Sequence, residues 1–105
     1  MALVEISVMP IGTPTPSLSP YVAGAVRVLK GDKQIRYELT PMGTVIEGDL
    51  DHVLGLVGRM HKSAFALGAV RVVTTVKIDE RIDREVTLDN RLDSVQRRLE
   101  GTDDV

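Results

Sequence analysis

The sequence predicts an α+β fold in which four antiparallel strands carry two helices on one face, with an extra helix at the C-terminus. Three observations lead there. Period-two alternation marks strands at Ala2–Met9, Gln34–Thr40, Thr44–Glu47 and Val70–Asp79. Apolar residues at helical spacing fill the gaps after the first and third of these strands. The resulting order of strand, helix, strand, strand, helix, strand is the ferredoxin-like βαββαβ pattern, whose two helices share one sheet face. The 105 residues suit one such domain, spanning 1–105.

In the first strand Val4, Ile6 and Val8 alternate with Glu5 and Ser7, and Pro10 is expected to stop it. A breaker-rich loop follows, from Ile11 to Ser17; four of the five prolines lie within the first twenty residues, which lowers the entropy lost on ordering this part. Ser19-Pro20 reads as a helix start, serine capping and proline pre-shaped for the first turn. Val22, Ala25, Val26 and Leu29 form the stripe, and Gly31 is the stop. The second strand puts Ile35, Tyr37 and Leu39 on one side; Pro41-Met42-Gly43 turns the chain into the short third strand.

Asp49 caps the second helix, with a predicted stripe of Leu50, Val53, Leu54, Val57, Met60 or His61, and Ala64, ending at Leu67 before Gly68. Gly55 and Gly58 weaken it by about 1 kcal/mol each relative to alanine and are expected to allow close packing on the sheet. The fourth strand divides into Val72, Thr74, Val76 and Ile78 on one side and Val73, Thr75 and Lys77 on the other. Thr87 is expected to open the last helix, whose Leu88, Leu92, Val95 and Leu99 make a narrow seam for one partner helix. Gly101–Val105 reads as a frayed tail.

Composition narrows the function. Thirteen basic against fifteen acidic side chains, with three aromatics, lack the basic stripe and stacking platform of a nucleic-acid binder. Cysteine is absent, which removes disulfides, thiolate catalysis and cysteine-ligated metals. No apolar run nears the roughly 20 residues of a membrane helix, and the start does not read as a signal peptide, so a cytoplasmic protein with no membrane partner is expected. The sheet face opposite the helices would show Leu3, Glu5, Ser7, Met9, Val45, Glu47, Val73, Thr75 and Lys77. That mixture is too apolar for a solvated face and predicts contact with another subunit.

Candidate sites are few. His52 and His61 are nine residues apart on one helix, about 180° around its axis, and cannot hold one metal. His52 is expected to be exposed and His61 a half-buried packing residue. No catalytic residue, cofactor or metal site is expected. Asp79, Glu80, Asp83 and Glu85 alternate with Arg81 and Arg84 and read as exposed ion pairs. Thr13, Ser17 and Ser19 lead from a strand end into a helix start, either as a rigid turn or as hydroxyls for a polar ligand. Glu47 ends an apolar strand on the open face. If covered there, it needs a donor: Lys77 in a structural ion pair, or the amine of a ligand.

The phrases Glu5-Ile6-Ser7-Val8 with Pro10-Ile11-Gly12-Thr13, Tyr37 to Gly48 (YELTPMGTVIEG), Met60-His61 and Arg71 to Asp79 resemble the YkoF-like thiamine-binding proteins, single-domain branch. The resemblance runs to about Leu99 and is most specific from Leu39 to Gly48. It implies a ferredoxin-like fold, a homotetramer built as a dimer of dimers, and non-catalytic binding of thiamine or its hydroxymethylpyrimidine half at a subunit interface. An aminopyrimidine donates through its amine and accepts at its ring nitrogens. On that resemblance Glu47 would take the amine, Ser7, Thr44 or Thr75 the ring nitrogens, and Met42 and Ile11 the ring faces. The alternative is a ferredoxin-like regulatory or assembly module answering to another small ligand.

Overall fold

Strand β1 (Ala2–Pro10) is built on strict alternation: Ala2, Val4, Ile6 and Val8 are buried beneath the helices, while Glu5, Ser7 and Met9 face the other way. A computed structural model describes residues 1–101. The remaining elements are α1 (Ser19–Arg27), β2 (Arg36–Thr40), β3 (Gly43–Gly48), α2 (Leu50–Ala66), β4 (Val72–Asp79) and α3 (Asp93–Leu99). The strands form one sheet in the order β2-β3-β1-β4, every pair antiparallel, with β1 inside. This is the expected ferredoxin-like arrangement. β1 does not stop short of Pro10, which still pairs with Val72, and the Ile11 amide donates to the Arg71 carbonyl at 2.9 Å.

The core lies between sheet and helices. Val4, Ile6 and Ile46 from the sheet meet Ala25, Leu29, Val53, Leu56, Met60 and Ala64 from the helix side. Leu56 replaces Leu54 in the predicted stripe; Leu54 and Leu67 are exposed, because only the narrower face through Val53, Leu56, Met60 and Ala64 reaches the sheet. The glycines of α2 also differ from expectation. A Cβ at Gly55 or Gly58 would meet nothing within 4 Å, since both lie on the outer side of the helix. Close approach falls instead at Gly24, where a Cβ would stand 3.0 Å from Leu67 Cδ1, and at Gly48, between Ile35 and Val53.

Local chemistry places the helix ends. Asp49 caps α2, its carboxylate accepting from the His52 amide at 3.2 Å. Ser19 does not cap α1: it is the first helical residue, Leu18 is the cap, and the Ser19 hydroxyl lies 3.1 Å from that of Ser17. His52 is half-buried rather than exposed, because Asp32 meets its Nε2 at 2.8 Å. The Gln34 amide, then His52, hold the Asp32 carboxyl below its ordinary range. His61 is half-buried as expected, with Nδ1 2.7 Å from Thr74 Oγ1 and its ring edge-on to Phe65.

After β4 the chain folds back over one end of the open sheet face. Residues 87–92 form turns rather than the predicted helix start; Thr87 and Asn90 exchange hydrogen bonds, each amide donating to the other's side chain. Val86 is buried there, as are Leu3 and Glu47. One Glu47 oxygen accepts from the Leu88 amide at 2.8 Å and the other lies 3.8 Å from Arg36, whose guanidinium also holds Asp89. Arg91 reaches Asp79 at 2.6 Å, Arg81 pairs with Asp83, and the N-terminus lies 3.4 Å from Glu85, so the acidic segment is the expected set of exposed ion pairs. None of the α3 residues is buried, and the predicted seam residues Leu92, Val95 and Leu99 are exposed. Of the tail, residues 102–105 lie outside the described residues.

Two outcomes follow for stability. Glu47→Ala deletes a charged acceptor beneath a covered amide, worth about 1.5–3 kcal/mol. The Leu88 amide should then exchange hydrogen faster and the melting temperature fall; unchanged exchange would show that Val86 packing alone holds the segment. Gly55→Ala and Gly58→Ala should each raise stability by up to about 1 kcal/mol in denaturant unfolding, because the new methyl groups meet open space.

Candidate functional site

The β1–β3 register ends at Ile6–Thr44, yet β1 runs on to Pro10. Among the described residues no strand flanks Ser7 to Pro10 on the β3 side. A cleft of about 290 Å³ occupies that gap. Its floor is Ile6, Val8 and Met60, its roof is Leu18, Val22 and Ala25 around the start of α1, and its wall is the β2–β3 turn from Leu39 to Thr44. Among the described residues no charged side chain lines it.

The turn owes its shape to Thr40. Its hydroxyl donates to the Gly43 carbonyl at 2.7 Å and accepts from the Met42 and Gly43 amides at 3.3 and 3.2 Å. Gly43 is needed for the return, since a Cβ there would stand 3.1 Å from the Ile6 carbonyl oxygen. Met42, 84% exposed, stands at the rim.

Thr44 differs from every other polar group here. It shares the core side of β3 with Ile46 and is 4% exposed. Its hydroxyl has no hydrogen-bond partner among the described residues, yet it is not sealed from solvent. Nine-tenths buried and unpartnered, it opens into the cleft it lines. A ligand atom that donates or accepts would complete it.

The structure brings together three of the sequence-predicted site residues. Thr44, Met42 and Ser7 border the cleft, although alternation along β1 directs the Ser7 side chain toward the opposite sheet face. Thr75 lies across from Ser7 on that opposite face. Thr13 donates to the Thr15 carbonyl at 2.8 Å and Ser19 is engaged with Ser17, so neither hydroxyl stands in the cleft wall. Glu47 sits at the far end of β3 beneath residues 86–89, held by Leu88 and Arg36. Lys77 is not its partner; the register sets Lys77 opposite Glu5.

Sequence reading missed Leu18, Val22, Leu39 and Thr40 as cleft residues. The Thr-Pro-Met-Gly run did carry a signal for Thr40, a hydroxyl preceding a two-residue turn. Val22 read as a helix-stripe residue and Leu39 as a strand-face residue, Leu18 carried no signal, and their exposure depends on β1 overrunning β3. Among the described residues no group of side chains could hold a metal ion, and no helix is long and apolar enough to cross a membrane.

Comparison with known proteins agrees with this layout. The chain is 40% identical over 103 residues to the UPF0045 protein YqgV of Bacillus subtilis, covering 95% of this chain and 99% of that one. It is 41% identical over 100 residues to a UPF0045 protein of Methanothermobacter thermautotrophicus, covering 94% and 100%. Among solved structures, the Methanocaldococcus jannaschii protein MJ1052 superposes with a TM-score of 0.80 at 38% identity, covering 90% of this chain and 95% of that chain. The family model described as thiamine-binding protein matches residues 4–96, which include both the cleft and the segment that covers Glu47, and the chain belongs to that family.

Proposed function

We propose that this protein binds thiamine or its hydroxymethylpyrimidine half, without transforming it, in the cleft between β1, the β2–β3 turn and α1. The observation that carries this reading is the unpartnered Thr44 hydroxyl in an uncharged cleft. A flat aminopyrimidine matches such a site: apolar walls for its faces, one buried hydroxyl for a ring nitrogen or the amine, and the main chain of β1 beyond Ile6 for the remaining polar edge. The family's description as thiamine-binding supports the ligand class. Met42 closes over the ring from the rim. Glu47, held by Leu88 and Arg36 at the far end of β3, stands apart from this cleft. Among the described residues no histidine, cysteine or charged side chain lines the cleft, and in this reading the protein acts as a carrier or buffer of the metabolite in the cytoplasm.

The assembly we propose is a homotetramer, a dimer of dimers. Met9 and Val73 are adjacent and exposed on the open sheet face, and Leu92, Val95 and Leu99 form an exposed apolar line on α3. A second copy would cover both, and the cleft, open at its Met42 rim, would then lie at a subunit boundary.

Thr44→Val is the direct test of the site. It keeps the shape and removes a hydroxyl that no protein group uses. The apo melting temperature should hold or rise, whereas calorimetric affinity for hydroxymethylpyrimidine should fall about three- to tenfold, from a hydrogen bond worth about 0.5–1.5 kcal/mol. Affinity equal to wild type would take Thr44 out of the site. For the assembly, sedimentation should show a tetramer that Leu92→Glu with Val95→Glu converts to smaller species; a folded wild-type monomer at micromolar concentration would sink the tetramer.

A further inference from the structure

The cleft does not end at Val22 and Leu39. Both side chains also line a shallower groove of about 590 Å³ along the outside of α1, continued by Ala23, Val26, Arg27 and Lys30. Val22 and Leu39 are therefore a waist between an uncharged compartment and an apolar groove with two cations at its far end. From Val22 to Arg27 the helix rises about 7.5 Å. Among the described residues, no carboxylate pairs with Arg27 or Lys30. Arg27 is the last residue of α1 and Lys30 lies in the turn just beyond it, so both cations border the same groove.

We infer that cleft and groove form one two-part site whose ligand is the phosphate monoester of a flat heteroaromatic alcohol, the ring beside Thr44 and the phosphate at Arg27 and Lys30. The inference rests on the reading of the cleft given above and narrows it. A phosphomonoester carries a charge of about −1.5 to −2 at neutral pH, and its oxygens accept from a guanidinium and an ammonium together. The uncharged cleft has nothing to offer that group, so the ester must leave the cleft through the waist, where the groove runs toward the cations. The same pair repels an unphosphorylated thiazolium. The site would thereby separate the phosphorylated pyrimidine alcohol from free thiamine by charge, and the non-phosphorylated alcohol from its ester by affinity.

Arg27 and Lys30 also stand at the C-terminal end of α1, where cations favour the helix dipole. That role affects stability and not ligand preference, and the two are separable by experiment. Calorimetry on the full chain would compare hydroxymethylpyrimidine, its phosphate monoester, thiamine and inorganic phosphate at low and high salt. The ester should bind about tenfold or more tightly than the free alcohol, with an advantage that shrinks as salt rises. Arg27→Gln with Lys30→Gln should bring the ester's affinity down to that of the alcohol. Arg27→Lys with Lys30→Arg, which keeps both charges, should retain most of the advantage and shows that charge, not packing, is read. Equal affinity for ester and alcohol in the wild type would falsify the two-part site, as would an advantage that survives Arg27→Gln with Lys30→Gln. In either of those cases, alcohol binding that still responds to Thr44→Val leaves the cleft reading standing. Absence of binding by alcohol and ester removes the two-part site, and absence of binding by thiamine as well removes both readings.

Discussion

Everything in this fold hangs on the register of β1. It is one of the two inner strands of the sheet, paired to β3 on one side and β4 on the other, and it supplies Ala2, Val4, Ile6 and Val8 to the core. A slip of one residue would turn Glu5 and Ser7 into the core and expose the four apolar side chains, so burial admits a single alignment. That alignment also sets where β3 runs out relative to β1. With β3 ending against Ile6 and β1 continuing to Pro10, a gap beside the strand is unavoidable, and α1 with the β2–β3 turn roofs it instead of filling it. The cleft is thus a consequence of unequal strand lengths.

The opposite end of the sheet is organised by charge. Burying Glu47 would be costly without compensation, and the compensation comes from two directions: a main-chain amide from the segment after β4 and a guanidinium from β2. Arg36 is shared, since it also grips Asp89 on that segment. The chain beyond the sheet is therefore fastened through polar contacts, with Val86 as its one buried apolar residue among those described. None of the α3 residues is buried, which leaves its apolar line on the outside.

Strand and helix order were readable from alternation and spacing because sheet and helix each bury one face. Details failed where that premise failed. Leu54 fits the helical stripe as well as Leu56 does, and only the position of the sheet decides between them. Gly55 and Gly58 suggested close packing by composition, whereas the close approaches occur at Gly24 and Gly48, which depend on where α1 and β2 come to rest. Thr87 looked like a helix start because it is one for local hydrogen bonding, but the turn it closes with Asn90 is continued by Arg91 and Leu92 before α3 begins. Of the candidate site, Thr44, Met42 and Ser7 came from a sequence phrase and did converge. The remaining cleft residues are apolar positions whose exposure no local pattern encodes.

The strand order carries a consequence for how the chain is made. β1 is synthesised before both of its sheet neighbours, which follow some forty and seventy residues later, at Gly43–Gly48 and Val72–Asp79. Until then its alternating apolar residues have no ladder to join, and the pairings that complete the sheet all span long stretches of chain. Such non-local closure slows folding relative to a helical bundle of equal size. The nascent strand must wait unpaired, and the breaker-rich loop behind it, stiffened by Pro14, Pro16 and Pro20, limits the wrong helices it could join in the meantime.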